Sequence, residues 1–508
     1  MSLVKRSHHF SVGGDDTAPV KKVRTVNEEL RPLTRQQQRI LDVVMSGKNV
    51  FYTGAAGTGK SFLATRIIEE LKKKEKRGMF KKLDANGNPA KWDVWVCAST
   101  GTAAVRIGGS TLHHCTGLGT MAGKIENVGR YMSKNKRQDW LELDALFLDE
   151  VSMTSCAGLT FLDQAAKKLR KNNKPFGGIQ VIMTGDFFQL PPVRKLAFNE
   201  IKGTREEEAE KDNCYYAFCS PVWDEAFGPH QYTLTTIFRQ KDESFARVLN
   251  HVRMATFNQE VMDFINNVTV TEFDFTKFTH RPTILFTTNA PADEMNKQEL
   301  TKLVNAAPIA EREEFVHIYH AEDSEGTTPQ DFRDLLAEDA IELCIGCLVI
   351  CIANLDVASG ICNGTRGFVQ GFACDENDES GRLYPIVDFV IGETQRVRRV
   401  MGPCTWRIEK DKSEDTPKLT RTQIPLRLAW ALTIHKSQGM TIDNLAVDLS
   451  KKFSWGNVHV TAGQVYVALS RATNMNRLQI KGFNPQYMKT SRSVIEFYSK
   501  LEKNMDSL

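Results

Sequence analysis

A glycine-rich segment of the sequence has the residue types and spacing of a phosphate-binding loop. GAAGTGKS, residues 54–61, fits the pattern GxxxxGK followed by Ser or Thr. An apolar stretch, NVFYT, precedes it and an amphipathic stretch follows it, as a strand and a helix would. In that setting the backbone N–H groups and the helix N-terminus favour phosphate. We therefore predict a nucleoside triphosphate site, with Lys60 on the β- and γ-phosphates and Ser61 on Mg²⁺.

A second segment, LFLDE, ends in two carboxylates, Asp149 and Glu150, after a short apolar run. Ligands of open parallel sheets bind at the carboxyl ends of the strands, which is where these two acids would lie. Asp149 is then a candidate ligand of Mg²⁺, and Glu150 is a candidate base that takes the proton of an attacking water. A carboxylate pair alone is equally typical of a capping role.

Three further side chains are candidates for contact with a γ-phosphate. Gln189 follows a third apolar stretch in GDFFQLPP, and Arg239 and Arg471 occur in IFRQ and ALSRAT. A guanidinium from another domain can stabilise charge on a transferring phosphoryl group. By spacing alone, each arginine is also consistent with a surface ion pair.

The segments around these residues alternate between strand and helix patterns. Short β-branched runs, DVWVCAST, DALFLDE and IQVIMTGD, are separated by helical or polar segments, which favours a parallel sheet with helices on both faces. A second α/β region begins near RPTILFTTN. From about 315 to 424, alternating apolar and polar residues around Asn363-Gly364 indicate hairpins, and so a small inserted β-barrel. The predicted units are a disordered tail (1–28), a first α/β domain (29–235), and a second α/β domain (236–314 and 425–508) interrupted by the β insertion (315–424).

Composition excludes some classes of protein. The 508 residues are 41% hydrophobic and 25% charged, with a net charge of +4, which excludes a histone-like basic protein. No apolar run approaches the roughly 18 residues of a membrane helix, so we expect no membrane partner. The 11 cysteines are scattered, as reduced thiols would be. Cys344, Cys347 and Cys351 favour a buried strand over a zinc site completed by Cys362.

Two charged segments bear on cellular location and surface. The basic cluster 21–24 favours the nucleus, whereas residues 1–12, which lack acids, keep a mitochondrial transit peptide open as an alternative. The acidic segment 204–213 is typical of an exposed insertion, and its role is not evident from the sequence.

The ordered motifs of the chain together resemble one known family. The matching segments are LTRQQQRIL, GAAGTGKS, STGTAAVRIGGSTLHHCTGLG, LFLDEVSM, KPFGGIQVIMTGDFFQLPPV, LTTIFRQ, IPLRLAWALTIHKSQGMT and GQVYVALSRAT, between about residues 31 and 501. In this respect the chain resembles the Pif-type (petite integration frequency) DNA helicases, in the 5′-to-3′ branch of helicase superfamily one.

The resemblance implies a fold, cofactors and residue roles. It implies two RecA-like P-loop domains with parallel sheets and an inserted SH3-like β-barrel, with ATP and Mg²⁺ bound between the two domains. Gln37 would read the adenine, and the ATP-binding set would be Gly54, Ala55, Ala56, Gly57, Thr58, Gly59, Lys60 and Ser61. Lys60, Asp149, Glu150, Gln189, Arg239 and Arg471 would be catalytic. DNA contacts would come from Thr100, Thr102, His113, His114, Thr433, His435, Lys436 and Gln438.

The implied activity is ATP-driven movement along single-stranded DNA in the 5′-to-3′ direction. Forked duplexes, RNA–DNA hybrids and G-quadruplexes would be substrates, in replication, repair, recombination and telomere maintenance, and we expect a monomer in solution. Two alternatives stay open: a translocase that strips bound proteins with little strand separation, and a DNA-binding scaffold that does not hydrolyse ATP. Among aromatic residues, Trp430 reads as core, whereas Phe453 and Trp455 are weak candidates for base stacking.

Overall fold

The computed structural model describes most of the chain from residue 32 to residue 506. The gaps within this range are 76–90, 119–120, 122–124, 129–131, 193–214, 241, 279, 309–311, 329–331, 333–334, 336, 354, 357–358, 362–363, 375–380, 392–394, 409–418 and 451–460. The predicted tail with its basic cluster, the acidic segment 204–213, Cys362, Phe453 and Trp455 therefore lie outside the described residues.

The elements alternate much as the sequence patterns predict. The helices are α1 (Arg35–Met45), α2 (Lys60–Lys73), α3 (Gly101–Arg106), α4 (Leu112–Thr116), α5 (Lys134–Glu142), α6 (Cys156–Arg170), α7 (Val222–Phe227), α8 (Glu243–Arg253), α9 (Gln259–Val268), α10 (Asn289–Ala306), α11 (Arg312–Phe315), α12 (Gln464–Leu469) and α13 (Arg492–Asp506). Strands β1 to β10 are Val50–Gly54, Val94–Ala98, Ser110–Thr111, Ala145–Asp149, Gln180–Thr184, Gln231–Leu234, Thr269–Val270, Thr283–Phe286, Val316–His320 and Glu322–Asp323. Strands β11 to β21 are Ala340–Cys344, Leu348–Cys351, Arg366–Cys374, Leu383–Ile391, Gln395–Val400, Cys404–Ile408, Leu419–Gln423, Leu426–Leu428, Ala431–Thr433, Leu445–Asp448 and Leu478–Lys481.

The first lobe is built on a parallel sheet. Within the described residues its strand order is β3-β2-β4-β5-β1-β6, and every pair is parallel. Alternate residues of β1 face opposite sides, so Tyr52 packs with α1 and α2 while Phe51 belongs to the core on the other face. Both faces are thus covered by apolar side chains, as a parallel sheet requires. The order places β4, β5 and β1 side by side, so their carboxyl ends meet.

The second lobe repeats this plan with a shorter parallel sheet. Its order in the described part of the chain is β19-β8-β20-β21-β7, again parallel throughout. Its strands come from two separated stretches of the sequence, because the antiparallel strands β9 to β18 intervene. Helix α10 packs on this sheet, and Asn296 from the helix exchanges two hydrogen bonds, each of 2.9 Å, with the backbone of Ala431. The α/β class and the two parallel sheets are confirmed.

The inserted segment is antiparallel, but closure into a single barrel is not confirmed. Among the residues described, its strands form three sheets, ordered β15-β14-β13-β12-β18, β10-β17-β16 and β11-β9. The last strand of the largest sheet, β18, pairs with β12 through residues 426–428. The insertion therefore extends past the predicted boundary at 424. The apolar segment that follows residue 424 first adds β18 to the sheet of the insertion, and only then enters the second lobe as β19.

The C-terminal helix α13 corrects a second prediction, because it packs on the first lobe rather than on the second. The ring of Phe497 stacks on Phe218 with 4.4 Å between centroids and lies 6.0 Å from Phe51 of β1. The Tyr498 hydroxyl lies 2.6 Å from Thr53 Oγ1. The chain thus returns to its first sheet at its end, a placement that no local pattern of the sequence indicates.

The burial of one tryptophan and of three cysteines agrees with the predictions made for them. Trp430 is buried, as predicted, and so are Cys344, Cys347 and Cys351. Across the described residues no group of three or more His, Cys, Asp or Glu side chains is placed to hold a metal ion, so the zinc alternative has no support there. A helix long and apolar enough to cross a bilayer is likewise not found among them.

Candidate active site

The glycine-rich loop leads directly from β1 into α2. Gly57 and Gly59 have φ of 84° and 81°, which favours glycine, and a Cβ on Gly57 would lie 2.6 Å from Arg239 Cβ. The Lys60 ammonium donates to the carbonyl oxygens of Gly54 at 2.7 Å and Ala55 at 3.0 Å. Burial lowers its pKa to about 8, although Asp186 and Glu150 act in the opposite direction. The ammonium of Lys60 is thus held by carbonyl oxygens of the loop itself.

Gln37, the predicted adenine contact, lies close to this loop. Its Oε1 and backbone N–H form a capping box with Thr34 at the start of α1. Its Nε2 lies 2.9 Å from where a Cβ on Gly59 would be, so the side-chain amide borders the loop. The capping box fixes the orientation of this amide before any nucleotide is bound.

Asp149 and Glu150 are both buried at the carboxyl end of β4. Arg106 Nη2 donates to Asp149 Oδ2 at 2.8 Å and to Glu150 Oε1 at 3.5 Å. Glu150 has a φ of 52°, in the left-handed region, and its backbone N–H donates to Asp149 Oδ1 at 2.8 Å. Burial, followed by the charge of Asp149, raises the pKa of Glu150. A raised pKa suits a group that must accept a proton near neutral pH.

The donor set fits the divalent cation that the phosphate chemistry implies. One carboxylate oxygen of Asp149 and one of Glu150 already share a cationic group, the Arg106 guanidinium. With the Ser61 hydroxyl at the start of α2, these are the hard oxygen donors that Mg²⁺ prefers. Ser61 and Asp149 would hold the ion, which would neutralise charge on the β- and γ-phosphates.

The two candidate arginine fingers lie next to each other across the cleft. Arg239 Nη1 donates to the Ser470 carbonyl at 3.2 Å, and Arg471 is 1% exposed with its guanidinium on the Val467 and Met440 carbonyls and the Ser470 hydroxyl. Within the described part of the chain neither arginine has a carboxylate at salt-bridge distance. Burial lowers the pKa of Arg471 to about 9 and that of Arg239 to about 10, so both stay cationic at neutral pH. A buried cation, Arg471, and a half-buried one, Arg239, neither with a carboxylate at ion-pair distance in the described part of the chain, suit a polyanionic ligand.

The Gln438 side chain lies in the cleft between the two lobes. Its Nε2 donates to Glu150 Oε2 at 3.2 Å and lies 3.5 Å from Gln189 Oε1. Gln438 is one of the predicted DNA contacts, but its described contacts are with the candidate base and the candidate γ-phosphate sensor. Its neighbours in the same segment, His435 and Lys436, follow β19 on the surface side of the turn.

The other predicted DNA contacts are spread over three turns. Thr100 Oγ1 caps α3 by accepting from the Ala103 N–H at 3.3 Å, and the Thr102 side chain lies outside the described residues. His113 is exposed and His114 half-buried in α4. Thr433 is buried at 4% exposure, and its hydroxyl accepts from the Lys436 N–H at 3.2 Å, so this threonine holds the turn's shape.

Sequence reasoning did not identify a second buried cluster beside the loop. Arg253 of α8 forms a two-pronged ion pair with Asp186, with Nη2 2.8 Å and Nε 3.1 Å from its oxygens. The Tyr466 and Tyr498 hydroxyls donate to the same carboxylate at 3.3 Å and 3.2 Å. The Tyr466 hydroxyl also accepts from the Ala56 N–H of the loop at 2.7 Å. The only sequence signal was the position of Asp186 at a strand end.

Comparisons with known proteins agree with this geometry. A family model described as "PIF1-like helicase" matches residues 32–272, and one described as "DNA helicase Pif1, 2B domain" matches residues 334–372. The human ATP-dependent DNA helicase PIF1 is 32% identical over 514 residues, which cover 99% of this chain and 70% of the human protein. The chain belongs to the PIF1-like helicase family.

Solved structures of this family share the fold. The crystal structure of Pif1 helicase from Candida albicans has a TM-score of 0.69 and 34% identity, over 93% of this chain and 100% of that one. Bacteroides sp Pif1 in complex with ADP-AlF4 has a TM-score of 0.71 and 26% identity, over 93% and 98%. The curated Candida albicans relative is 30% identical, and this PIF1-like chain spans 59% of its length.

Proposed function

We propose that the protein is an ATP-dependent DNA helicase that moves 5′ to 3′ along single-stranded DNA. The observation that carries the proposal is the contact of Gln438 with Glu150, because it joins a turn expected to grip DNA to the base expected to activate water. Support also comes from the printed names of relatives, which include ATP-dependent DNA helicase PIF1, and from a Bacteroides Pif1 bound to ssDNA.

The proposed cycle of ATP binding and hydrolysis depends on the positions of three cationic side chains on the two lobes. ATP draws the lobes together because Lys60 lies on the first lobe, Arg471 on the second, and Arg239 on the segment between them. Glu150 takes a proton from water as the water oxygen attacks the γ-phosphorus and the bond to the bridging oxygen breaks. Loss of the γ-phosphate leaves Arg239 and Arg471 without an anion, and the lobes separate. Each step has to overcome roughly 1.4 kcal/mol of base stacking.

A strand-displacement assay tests this function. The purified protein is given forked DNA with a 5′ tail or with a 3′ tail, in the presence of ATP and Mg²⁺. We expect DNA-stimulated ATP hydrolysis and displacement from the 5′-tailed fork only. Hydrolysis without displacement would favour a translocase that removes bound proteins, and absence of DNA-stimulated hydrolysis would favour a scaffold.

We further propose a substrate range and a cellular location for the protein. The family resemblance supports RNA–DNA hybrids and G-quadruplexes as further substrates, with roles in replication, repair, recombination and telomere maintenance. The basic cluster 21–24 supports the nucleus, with the mitochondrion as the alternative. Displacement assays on each substrate, and imaging of a full-length fusion with its N-terminus intact, test these proposals separately.

A further inference from the structure

Arg106 lies within a motif segment of the sequence, 99–119, but the sequence analysis assigns it no role in the active site. It is the last residue of α3, whose first turn is capped by Thr100. A helix of six residues is about 9 Å long, so Thr100 and Arg106 lie at opposite ends of one short element.

The guanidinium lies on the oxygens that the divalent cation needs. Nη2 alone contacts both Asp149 Oδ2 and Glu150 Oε1, at 2.8 Å and 3.5 Å. Arg253 in the same cleft instead uses two nitrogens on Asp186. Fork-shaped, two-nitrogen contacts are the stronger kind. Arg106 thus contacts both carboxylates through one nitrogen only, so a competing cation can displace its guanidinium from them.

The guanidinium is not fully hydrogen-bonded in this position. Among the described residues, Arg106 Nε is buried without a hydrogen-bond partner. Burial and the positive charges of Arg239 and Arg471 act against its charged form, while Asp149 and Glu150 outweigh the burial and raise its pKa. The conformation is therefore retained by the carboxylates and opposed by the rest of the cleft.

The second lobe also contacts this side chain. A Cβ on Gly439 would lie 2.3 Å from Arg106 Nη1, so the guanidinium rests against the backbone of the turn that follows β19. Gln438, the preceding residue, reaches Glu150. The two segments expected to grip DNA, one on each lobe, therefore meet at Arg106 and the carboxylate pair.

We propose that Arg106 occupies the divalent cation's place on Asp149, beside the candidate base Glu150, until DNA binds. DNA held by the start of α3 and by the turn 433–438 shifts both segments and withdraws the guanidinium, which opens the carboxylates to the metal. DNA binding thereby controls metal loading, and so ATP hydrolysis. This inference rests on the proposed function.

The experiment measures metal binding directly, with Mn²⁺ as the probe and ADP present, by electron paramagnetic resonance. Arg106→Gln is compared with wild type, with Arg106→Lys, and with Arg66→Gln, a matched control at a half-exposed arginine of α2 that pairs with Glu69. Without DNA, we expect Arg106→Gln to bind Mn²⁺ about tenfold more tightly than wild type, the effect of removing one nearby like charge. Arg106→Lys should stay close to wild type, and Arg66→Gln should equal it.

A single-stranded oligonucleotide provides the second arm. In wild type it should raise Mn²⁺ affinity about tenfold, and in Arg106→Gln by less than twofold, so that the two proteins converge. Equal Mn²⁺ affinity of Arg106→Gln and wild type without DNA would overturn the proposal, as would an equal DNA effect in both. If wild type shows no DNA-stimulated ATP hydrolysis, the proposed function fails, whereas the DNA-free Mn²⁺ comparison still tests whether Arg106 competes with the metal. The wild-type arm also tests the DNA effect should Arg106→Gln not fold.

Discussion

Two buried polar clusters lie side by side in the cleft and differ in how completely their charges are paired. In the cluster around Asp186, one carboxylate accepts two hydrogen bonds from Arg253 and one each from Tyr466 and Tyr498. The cluster around Glu150 instead combines three arginines, one of them half-buried, with two carboxylates and two side-chain amides. Its members are Arg106, Arg239, Arg471, Asp149, Glu150, Gln189 and Gln438. The first is internally satisfied and joins the lobes, whereas the second has unpaired cations and needs a ligand.

Residues of the first cluster stabilise the cleft, whereas residues of the second are placed to bind ligand and take part in hydrolysis. The Ala56 N–H of the loop donates to the Tyr466 hydroxyl, so the paired cluster also fixes the shape of the phosphate loop. A substitution in the cluster around Asp186 should therefore mainly lower the free energy of unfolding. A substitution in the cluster around Glu150 should lower activity without lowering the free energy of unfolding.

The largest expected effect is on hydrolysis by Glu150→Gln. The amide cannot take a proton from water, so kcat for ATP should fall about 10² to 10⁴-fold. Burial raises the pKa of Glu150, so the ionised form is unfavourable in the folded state and the neutral amide should not lower the melting temperature. Steady-state ATPase assays and thermal unfolding check the two halves; a lower melting temperature would remove the distinction between the clusters.

The paired cluster should respond in the opposite way to Asp186→Ala. Arg253 would stay buried without its counter-ion, which typically costs about 3–5 kcal/mol in the free energy of unfolding. Adding Arg253→Met should recover a large part of that loss, because the uncompensated charge is removed. Denaturant unfolding of the single and double variants measures their free energies of unfolding. Equal values for the two variants would show that the unpaired charge of Arg253 is not the cause of the lost stability.

Nucleotide affinity should depend on pH through Lys60. A pKa of about 8 means that the ammonium is mostly present at pH 7 and mostly lost at pH 9. Phosphate binds the charged form, so ADP affinity should fall roughly tenfold over this range. Lys60→Arg keeps its charge over this range, so it shows how much of the pH dependence comes from Arg239 and Arg471 instead. If ADP affinity of that variant fell with pH as in wild type, the pH dependence would not come from Lys60.

The smallest expected effect is that of Thr53→Val. The change keeps the shape of the side chain and removes the 2.6 Å hydrogen bond to the Tyr498 hydroxyl. The free energy of unfolding should fall by about 1 kcal/mol, with ATPase activity unchanged. Denaturant unfolding and an ATPase assay suffice, and a loss of activity larger than the loss of stability would mean that the paired cluster takes part in the chemistry.

Local patterns predicted most of the scaffold and part of the site. The apolar runs predicted β1, β2, β4 and β5, because each strand is short, buried and followed by polar residues. The glycine pattern likewise predicted the loop and its lysine, since the chemistry of phosphate binding is confined to a few adjacent residues.

Contacts made across the cleft were not predictable in this way. Gln438 and Glu150, or Tyr466 and Ala56, meet only once both lobes are folded and joined. Arg106 occurs within a recognisable motif segment, but an arginine at a helix end is typical of a solvated surface. Its role depends on the position of α3 over the end of β4, which no spacing in the sequence encodes.

The return of α13 to the first sheet has a consequence for how the chain is made. The aromatic core around Phe51 and Phe218 needs Phe497, which is synthesised about 260 residues after β6 is complete. At about 5–20 residues per second, the first lobe waits roughly 13 to 50 s on the ribosome with that apolar surface uncovered. A nascent chain stalled before α13 would therefore expose this surface to chaperones, and only a chain translated through α13 can cover this face of the lobe that carries the phosphate loop.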